Sequence, residues 1–287
     1  ISLFFVSLIS LFLVPFVGVE VKGSKRWIDL FFLPRFQPIE VLKPFLIIIL
    51  ATILCDIKSN ILFKYLISIF LISFISLLLI AQPDIGQTLL VIFCWAALIF
   101  TSGINIYILL GIFIAGASLL AYLIIFVPKF DYIQGRIFSF FNRETGTHNF
   151  QSDKAIESIT SGGFFGKGIG EGVLKNRVPE AHTDYIISVI SEEFGVVAIM
   201  LILLLFLILI YMVFKKISFE TNDKVKLILI GSISLILMQA TIHVGVNIRL
   251  FPTTGMTLPF LSYGGSSIIS TSILGGIILN LTKRKIT

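Results

Sequence analysis

Residues 178–211 read VPEAHTDYIISVISEEFGVVAIMLILLLFLILIY, and the apolar run that starts at Tyr185 continues to Tyr211. A membrane-spanning helix needs about 20 such residues, because each adds about 1.5 Å toward crossing a hydrocarbon layer about 30 Å thick. This run alone therefore assigns the chain to helical membrane proteins. Asp184 stands where an aqueous loop meets that helix. Lipid cannot solvate a carboxylate, so a group placed there must find water, a partner or a substrate. Asp184 is the leading candidate for a functional residue.

The composition around this stretch agrees. Of 287 residues, 56% are hydrophobic and 13% charged, with a mean hydropathy of +1.03. An ordinary soluble domain, which needs a polar surface, is excluded. The chain opens at Ile1 inside an apolar run, without Met and without a basic segment leading to a cleavage site. That opening leads us to expect an earlier start carrying one or more further spans. Cys55 and Cys94 lie in or at the end of apolar segments, where Cys behaves as a small hydrophobe, and they define neither a disulfide framework nor a metal site. The net charge of +6 suits anionic headgroups or a pyrophosphate, and equally the basic loops that flank membrane spans.

Apolar windows predict eight helices, near residues 1–19, 41–56, 61–81, 85–101, 104–128, 185–213, 225–246 and 260–282. Many are rich in Ile and Phe, but in lipid each segment must satisfy its own backbone hydrogen bonds, so the reading is all-α. We expect a single polytopic membrane domain over 1–287, with one large loop at 129–184 that carries short helices. Lys58, Lys215, Lys216, Lys224, Lys226, Lys283, Arg284 and Lys285 cluster in short loops on the other side, and their density favours that side as cytoplasmic. Raw count favours the opposite side, whose Lys and Arg are spread over longer segments, so charge alone leaves the orientation open. The polar motifs lie on the side of the long loop: GSKRWI at 23–28, QPIEVLK at 37–43, QPDIGQT at 82–88 and NIRLFPTTGMTLPFLSYGGSS at 247–267. Their gathering on one face suggests a single site.

Each motif has a functional and a structural reading. Asp184 either accepts a proton from an incoming hydroxyl or caps the helix that follows. His182 either assists it or is a plain loop residue. Ser188 and Ser191 share its helical face, and Glu192 and Glu193, if buried, must be paired. SGGFFGKGIGEG at 161–172 is a flexible turn cluster or a weak phosphate cradle, and it does not have Walker A spacing. Glu40 and Lys43, at i, i+3, form an ion pair, or Lys43 with Lys25 or Arg26 offers charge to a pyrophosphate. Alternatively, Asp84 pairs with one of these bases. Pro252 and Pro259 break helix in a stretch containing Ser262 and Ser266, and broken backbone at membrane depth is tolerated where it lines a cavity.

Taken in order, GSKRWI, QPIEVLK, QPDIG, GGFFGKGIGEG, PEAHTDYI with EEFG, and PTTGMTLPFLSYGGSS resemble the SEDS family of membrane glycosyltransferases (shape, elongation, division and sporulation) over essentially the whole chain. Ala181, Asn247 and Thr257 look like its division branch. The sequence departs from the family pattern at Ile39, where Ser is usual, at Gln87 after QPDIG, at Arg249, where Gly is common, and in lacking a Pro near FFNRETG.

The resemblance implies ten spans in full, two of them ahead of Ile1, with the long loop outside the cytoplasm. It implies a polymerase that joins lipid II into peptidoglycan glycan strands at the bacterial cytoplasmic membrane, at the division septum. A class B penicillin-binding protein (a transpeptidase) and other divisome proteins are the implied partners, with no nucleic acid. The essential Asp of PEAHTD corresponds to Asp184, the expected general base. Lys43, Lys25, Arg26, Glu40, Asp84, His182, Ser262 and Ser266 are the expected substrate-binding residues. No organic cofactor and no protein metal site are expected, although a divalent cation such as Mg or Mn is compatible with the chemistry. The rival readings are a lipid II transporter, which should show repeated halves and a midplane site, and a non-catalytic scaffold.

Overall fold

The computed structural model describes residues 1–21, 24–30, 33–56, 60–142 and 150–283. Lys58, Arg284 and Lys285, Gly23 of GSKRWI and residues 143–146 of FFNRETG lie outside the described residues. The elements are α1 (Ser2–Val17), β1 (Val19–Val21), β2 (Ser24–Leu30), β3 (Leu33–Phe36), α2 (Pro38–Leu54), α3 (Ile61–Ala81), α4 (Ile85–Thr101), α5 (Ile106–Phe126), α6 (Asp131–Asn142), α7 (Phe150–Gly162), α8 (Ile186–Phe219), α9 (Asp223–Asn247) and α10 (Gly265–Thr282).

Every apolar window of the sequence is a helix: α1 to α5 and α8 to α10. Five of these, α3, α5, α8, α9 and α10, are long and apolar enough to cross a membrane. The protein is an all-α polytopic membrane protein. The boundaries follow local chemistry. Pro38 starts α2 at its first turn, where a missing N–H costs nothing. The Asn60 side chain caps α3 by accepting from Leu62 N, and Asp84 caps α4 by accepting from Gln87 N. α10 starts at Gly265, later than the apolar window, because Pro252 and Pro259 keep the preceding chain out of a helix.

A small sheet interrupts the helical pattern that the sequence suggests. Val19–Val21, Ser24–Leu30 and Leu33–Phe36 form a three-stranded antiparallel sheet in the order β1-β2-β3, pairing Glu20 with Lys25 and Ile28 with Phe36. The segment is too polar to span lipid. The long loop carries α6, α7 and a 3-10 turn at Leu174–Arg177, in line with the short helices expected there.

The chain falls into two compact units. The first comprises Ile1–Leu109, Ile210–Met238 and Gly264–Thr287. Its centre is α2, which packs against α1, α3, α4 and α10 and buries Leu42, Leu46, Leu50 and Ala51. The second comprises Leu110–Leu209 and Gln239–Tyr263. Its apolar clusters join Ala155, Val178, Tyr185 and Val246, and Ile187, Ala240 and Leu258. On α8 the side chains of Leu201, Leu204, Leu205 and Leu207 are exposed, the surface a lipid solvent requires.

α8 consists of two helical halves that meet at Gly195 (φ 75, ψ −178). This conformation is open essentially only to Gly, and it interrupts the helical hydrogen bonds where lipid offers no replacement. The chain supplies them from 163–168: Val196 N and Val197 N donate to the carbonyls of Gly163 and Phe164, while Lys167 N and Gly168 N donate to those of Glu192 and Glu193. The glycine-rich segment is thus the backbone partner of a broken helix rather than a loose turn or a phosphate cradle.

Candidate functional site

Asp184 closes a turn that leads into α8. The backbone N–H groups of Thr183, Asp184 and Tyr185 all donate to the carbonyl of Glu180, whose φ of 58 tightens the turn. Three hydrogen bonds from the stretch 247–263 hold the other side of the turn. The Asn247 amide donates to the carbonyl of Asp184 at 3.0 Å, the Ser262 hydroxyl to that of Thr183 at 2.6 Å, and Tyr263 N to that of His182 at 2.9 Å. Successive peptide units are therefore pinned, and the half-buried carboxylate of Asp184 is presented beside Gly255. A Cβ at Gly255 would stand 3.5 Å from Asp184 Oδ2, so the absent side chain leaves room next to the carboxylate.

The broken stretch is in turn held by one face of α9. Gln239 donates to the carbonyl and hydroxyl oxygens of Thr257 at 3.0 and 3.1 Å. His243 Nδ1 lies 2.7 Å from the Met256 carbonyl, which can only accept, so this nitrogen carries the proton. Asn247 completes the row. Polar groups spaced by four residues on an otherwise apolar helix were the available sequence signal for this support. Gln239 and His243 lie outside the motifs that the sequence singles out, and Asn247 stands among them as a mark of the division branch.

Other members of this unit are structural. Glu192 is fully buried and accepts from Ser158 Oγ, Leu174 N and Lys175 N, with Lys167 Nζ 3.6 Å away. Glu193 pairs with Lys175. Both carboxylates tie α8 to the loop in front of it. Arg249, which stands where Gly is common, has φ 58 and an ion pair of 2.5 Å to Asp153. A left-handed backbone explains a preference for Gly at that position. The His182 side chain is exposed. The Ser262 hydroxyl also accepts from Leu258 N at 2.8 Å, so it is committed to positioning the turn.

The remaining expected residues form a polar cluster in the first unit. Lys43 is fully buried and sits 2.7 Å from Glu40 and 3.2 Å from Gln87, whose amide donates to Glu40 at 2.6 Å. The ammonium is neutralised inside a closed ring of three side chains, which is the ion-pair alternative of the sequence reading. Gln87, a departure from the family pattern, is a member of that ring. Asp84 caps α4 through Gln87 N, accepts from Gln37 at 3.1 Å and lies 3.7 Å from Arg26. Arg26 also donates to the carbonyls of Gln82 and Pro83, and Gln37 N donates to Ser266 at 3.3 Å. Lys25 is exposed on β2. Among the described residues, no group of three or more His, Cys, Asp or Glu is arranged to hold a metal ion.

A turn held by three hydrogen bonds from 247–263, with a carboxylate at a helix head and room beside it, is suited to accepting a proton from a bound hydroxyl. Known proteins share this sequence and fold. A family model for cell cycle proteins, FtsW/RodA/SpoVE, matches residues 1–286. The chain is similar to a probable peptidoglycan glycosyltransferase FtsW of Caulobacter vibrioides, 35% identical over 94% of this chain and 68% of that one. It is also similar to the corresponding protein of Enterococcus hirae, 33% identical over 94% and 70%. Among solved structures it is similar to a chain of a peptidoglycan synthase complex that coordinates polymerization and crosslinking (TM-score 0.77, 28% identity, 98% of this chain and 80% of that chain). The rod shape determining protein RodA of Thermus thermophilus is another (TM-score 0.70, 29% identity, 100% and 78%).

Proposed function

The chain belongs to the FtsW/RodA/SpoVE family of cell cycle proteins, and from that premise we propose that it is a membrane-embedded peptidoglycan glycosyltransferase whose general base is Asp184. The observation that carries the assignment to Asp184 is its pinned turn: Asn247, Ser262 and Tyr263 fix the peptide units from His182 to Asp184 while Gly255 leaves the carboxylate room.

The reaction joins two lipid II molecules. Asp184 takes the proton of the 4-hydroxyl on the acceptor's N-acetylglucosamine, the oxygen attacks the anomeric carbon of the second lipid-linked sugar, and undecaprenyl pyrophosphate leaves with the bonding electrons. The carbon inverts. A positioned base contributes a factor of about 10² to 10⁴, and a turn that does not reorganise contributes through alignment. The cations expected for the pyrophosphate, Lys43, Lys25 and Arg26, belong to the first unit, where Lys43 pairs with Glu40, Arg26 pairs with Asp84 and Lys25 is exposed. A divalent cation would serve as a counter-ion of the pyrophosphate.

The partner proposed is a class B penicillin-binding protein that crosslinks the new strand, within the divisome at the septum. The test is polymerisation of labelled lipid II by the purified protein with that partner, wild type against Asp184→Asn. A loss of about 10²-fold or more in the variant, with unchanged folding, is expected. Equal polymer from both removes Asp184 from the mechanism, and lipid II flipping without polymer favours a transporter.

A further inference from the structure

We propose that the first unit carries a second binding site, for a phosphate-bearing anion, at the end of α2 away from Asp84. α2 starts at Pro38, next to Gln37 and its hydrogen bond to Asp84, and its 17 residues end at Leu54. At that far end a cavity of about 580 Å³ opens between the end of α2, the start of α3, the end of α4 and the start of α9. This is the size range of small-ligand sites.

The chemistry of its wall is divided. Leu54, Leu227 and Ile230 form an apolar side, and Lys64, Lys224 and Lys226 bring three ammonium groups against one carboxylate, Asp223. Lys226 pairs with Asp223 at 3.0 Å. Among the described residues, Lys64 and Lys224 have no carboxylate within ion-pair distance, and Lys64 reaches only the Leu54 carbonyl at 3.5 Å. The start of α9 adds the positive end of a 25-residue helix. Asn222 Oδ1 already accepts from Lys224 N and Val225 N, so those two backbone N–H groups are not donors to the site.

A general excess of Lys in loops beside membrane spans would leave these groups in water with no concavity beneath them. Here two uncompensated cations line a cavity whose other wall is apolar, and basic pockets between spans take phosphate headgroups. Phosphate supplies the missing negative charge, and the apolar wall suits the glycerol and first methylenes of a phospholipid. The source is therefore an anionic lipid or a free phosphate.

The purified protein in phosphatidylcholine nanodiscs is titrated in one arm with phosphatidylglycerol, reading bound lipid by native mass spectrometry, and in the other with inorganic phosphate, reading thermal unfolding. The variants are Lys64→Gln, Lys224→Gln and the pair, with Lys215→Gln, an exposed lysine outside the cavity, as the charge control. Phosphatidylglycerol retention is expected in wild type and Lys215→Gln, weakened about fivefold by each single change and about thirtyfold by the pair, one factor for each ammonium group removed from the headgroup. A phosphate response with the same dependence on Lys64 and Lys224 supports the site with a free anion as its ligand. Absence of both responses in wild type, or responses equal across wild type, single variants and pair, overturns it. The single variants change exposed or half-buried side chains, which keeps the comparison among folded proteins.

Discussion

The side-chain amide of Asn247, fully buried near the end of α9, bridges the backbone carbonyl of Asp184 at 3.0 Å and that of His243 at 2.9 Å. One residue thereby ties the proposed base to the helix that supports the whole broken stretch. Replacing Asn247 with Ala leaves both carbonyls short of a donor and frees the turn. Misplacing a catalytic group by about 1 Å costs on the order of 10²-fold in rate. Asn247→Ala is therefore expected to lower lipid II polymerisation by about that factor while the protein remains folded in detergent. Full activity would mean that the turn holds its shape without it.

Gly255 has φ 71, and a Cβ there would stand in van der Waals contact with Asp184 Oδ2 at 3.5 Å. Gly255→Ala carries a backbone strain of about 1 to 3 kcal/mol and also fills the space beside the carboxylate. Activity is expected to fall further than the loss of thermal stability accounts for, with the deficit in kcat at saturating lipid II.

At the kink of α8, Gly195→Ala meets both a forbidden backbone region and the Phe164 carbonyl oxygen, which the new carbon would overlap. The expected result is loss of folded protein, read as aggregation on size-exclusion chromatography, irrespective of any substrate. A monodisperse, stable variant would show that the two halves of α8 can join without their partner segment.

Glu192→Ala leaves the donors on Ser158, Leu174 and Lys175 without their shared acceptor. A buried donor left unsatisfied costs about 1 to 3 kcal/mol, so the thermal midpoint is expected to fall by several degrees, and Glu192→Gln, which keeps an acceptor oxygen, is expected to lose less. The reverse order would assign the carboxylate charge, rather than its geometry, to the fold.

Arg249 combines a left-handed backbone with an ion pair to Asp153. Arg249→Gly relieves the backbone while losing a half-exposed pair worth up to about 1 kcal/mol, so its midpoint should stay near wild type. Arg249→Ala loses the pair and keeps the strain, and is expected to be the less stable of the two by about 1 kcal/mol.

The eight apolar helices and the station of Asp184 at the head of one of them follow from the order of residues alone. Lipid requires each span to close its own backbone hydrogen bonds, so a span is a count of apolar side chains along a line. The strands β1, β2 and β3 were hidden because such short strands leave no apolar run to count. What only the tertiary structure decided is which partner each polar group meets. Lys43, read as a charge for pyrophosphate, spends it on Glu40 and Gln87. Ser262, read as a substrate-binding residue, holds Thr183, and the glycines at 163–168 complete the broken helix at Gly195. A hydrogen bond is fixed within a few tenths of an ångström between groups 44, 79 and about 30 residues apart, and that distance is set only when the helices pack.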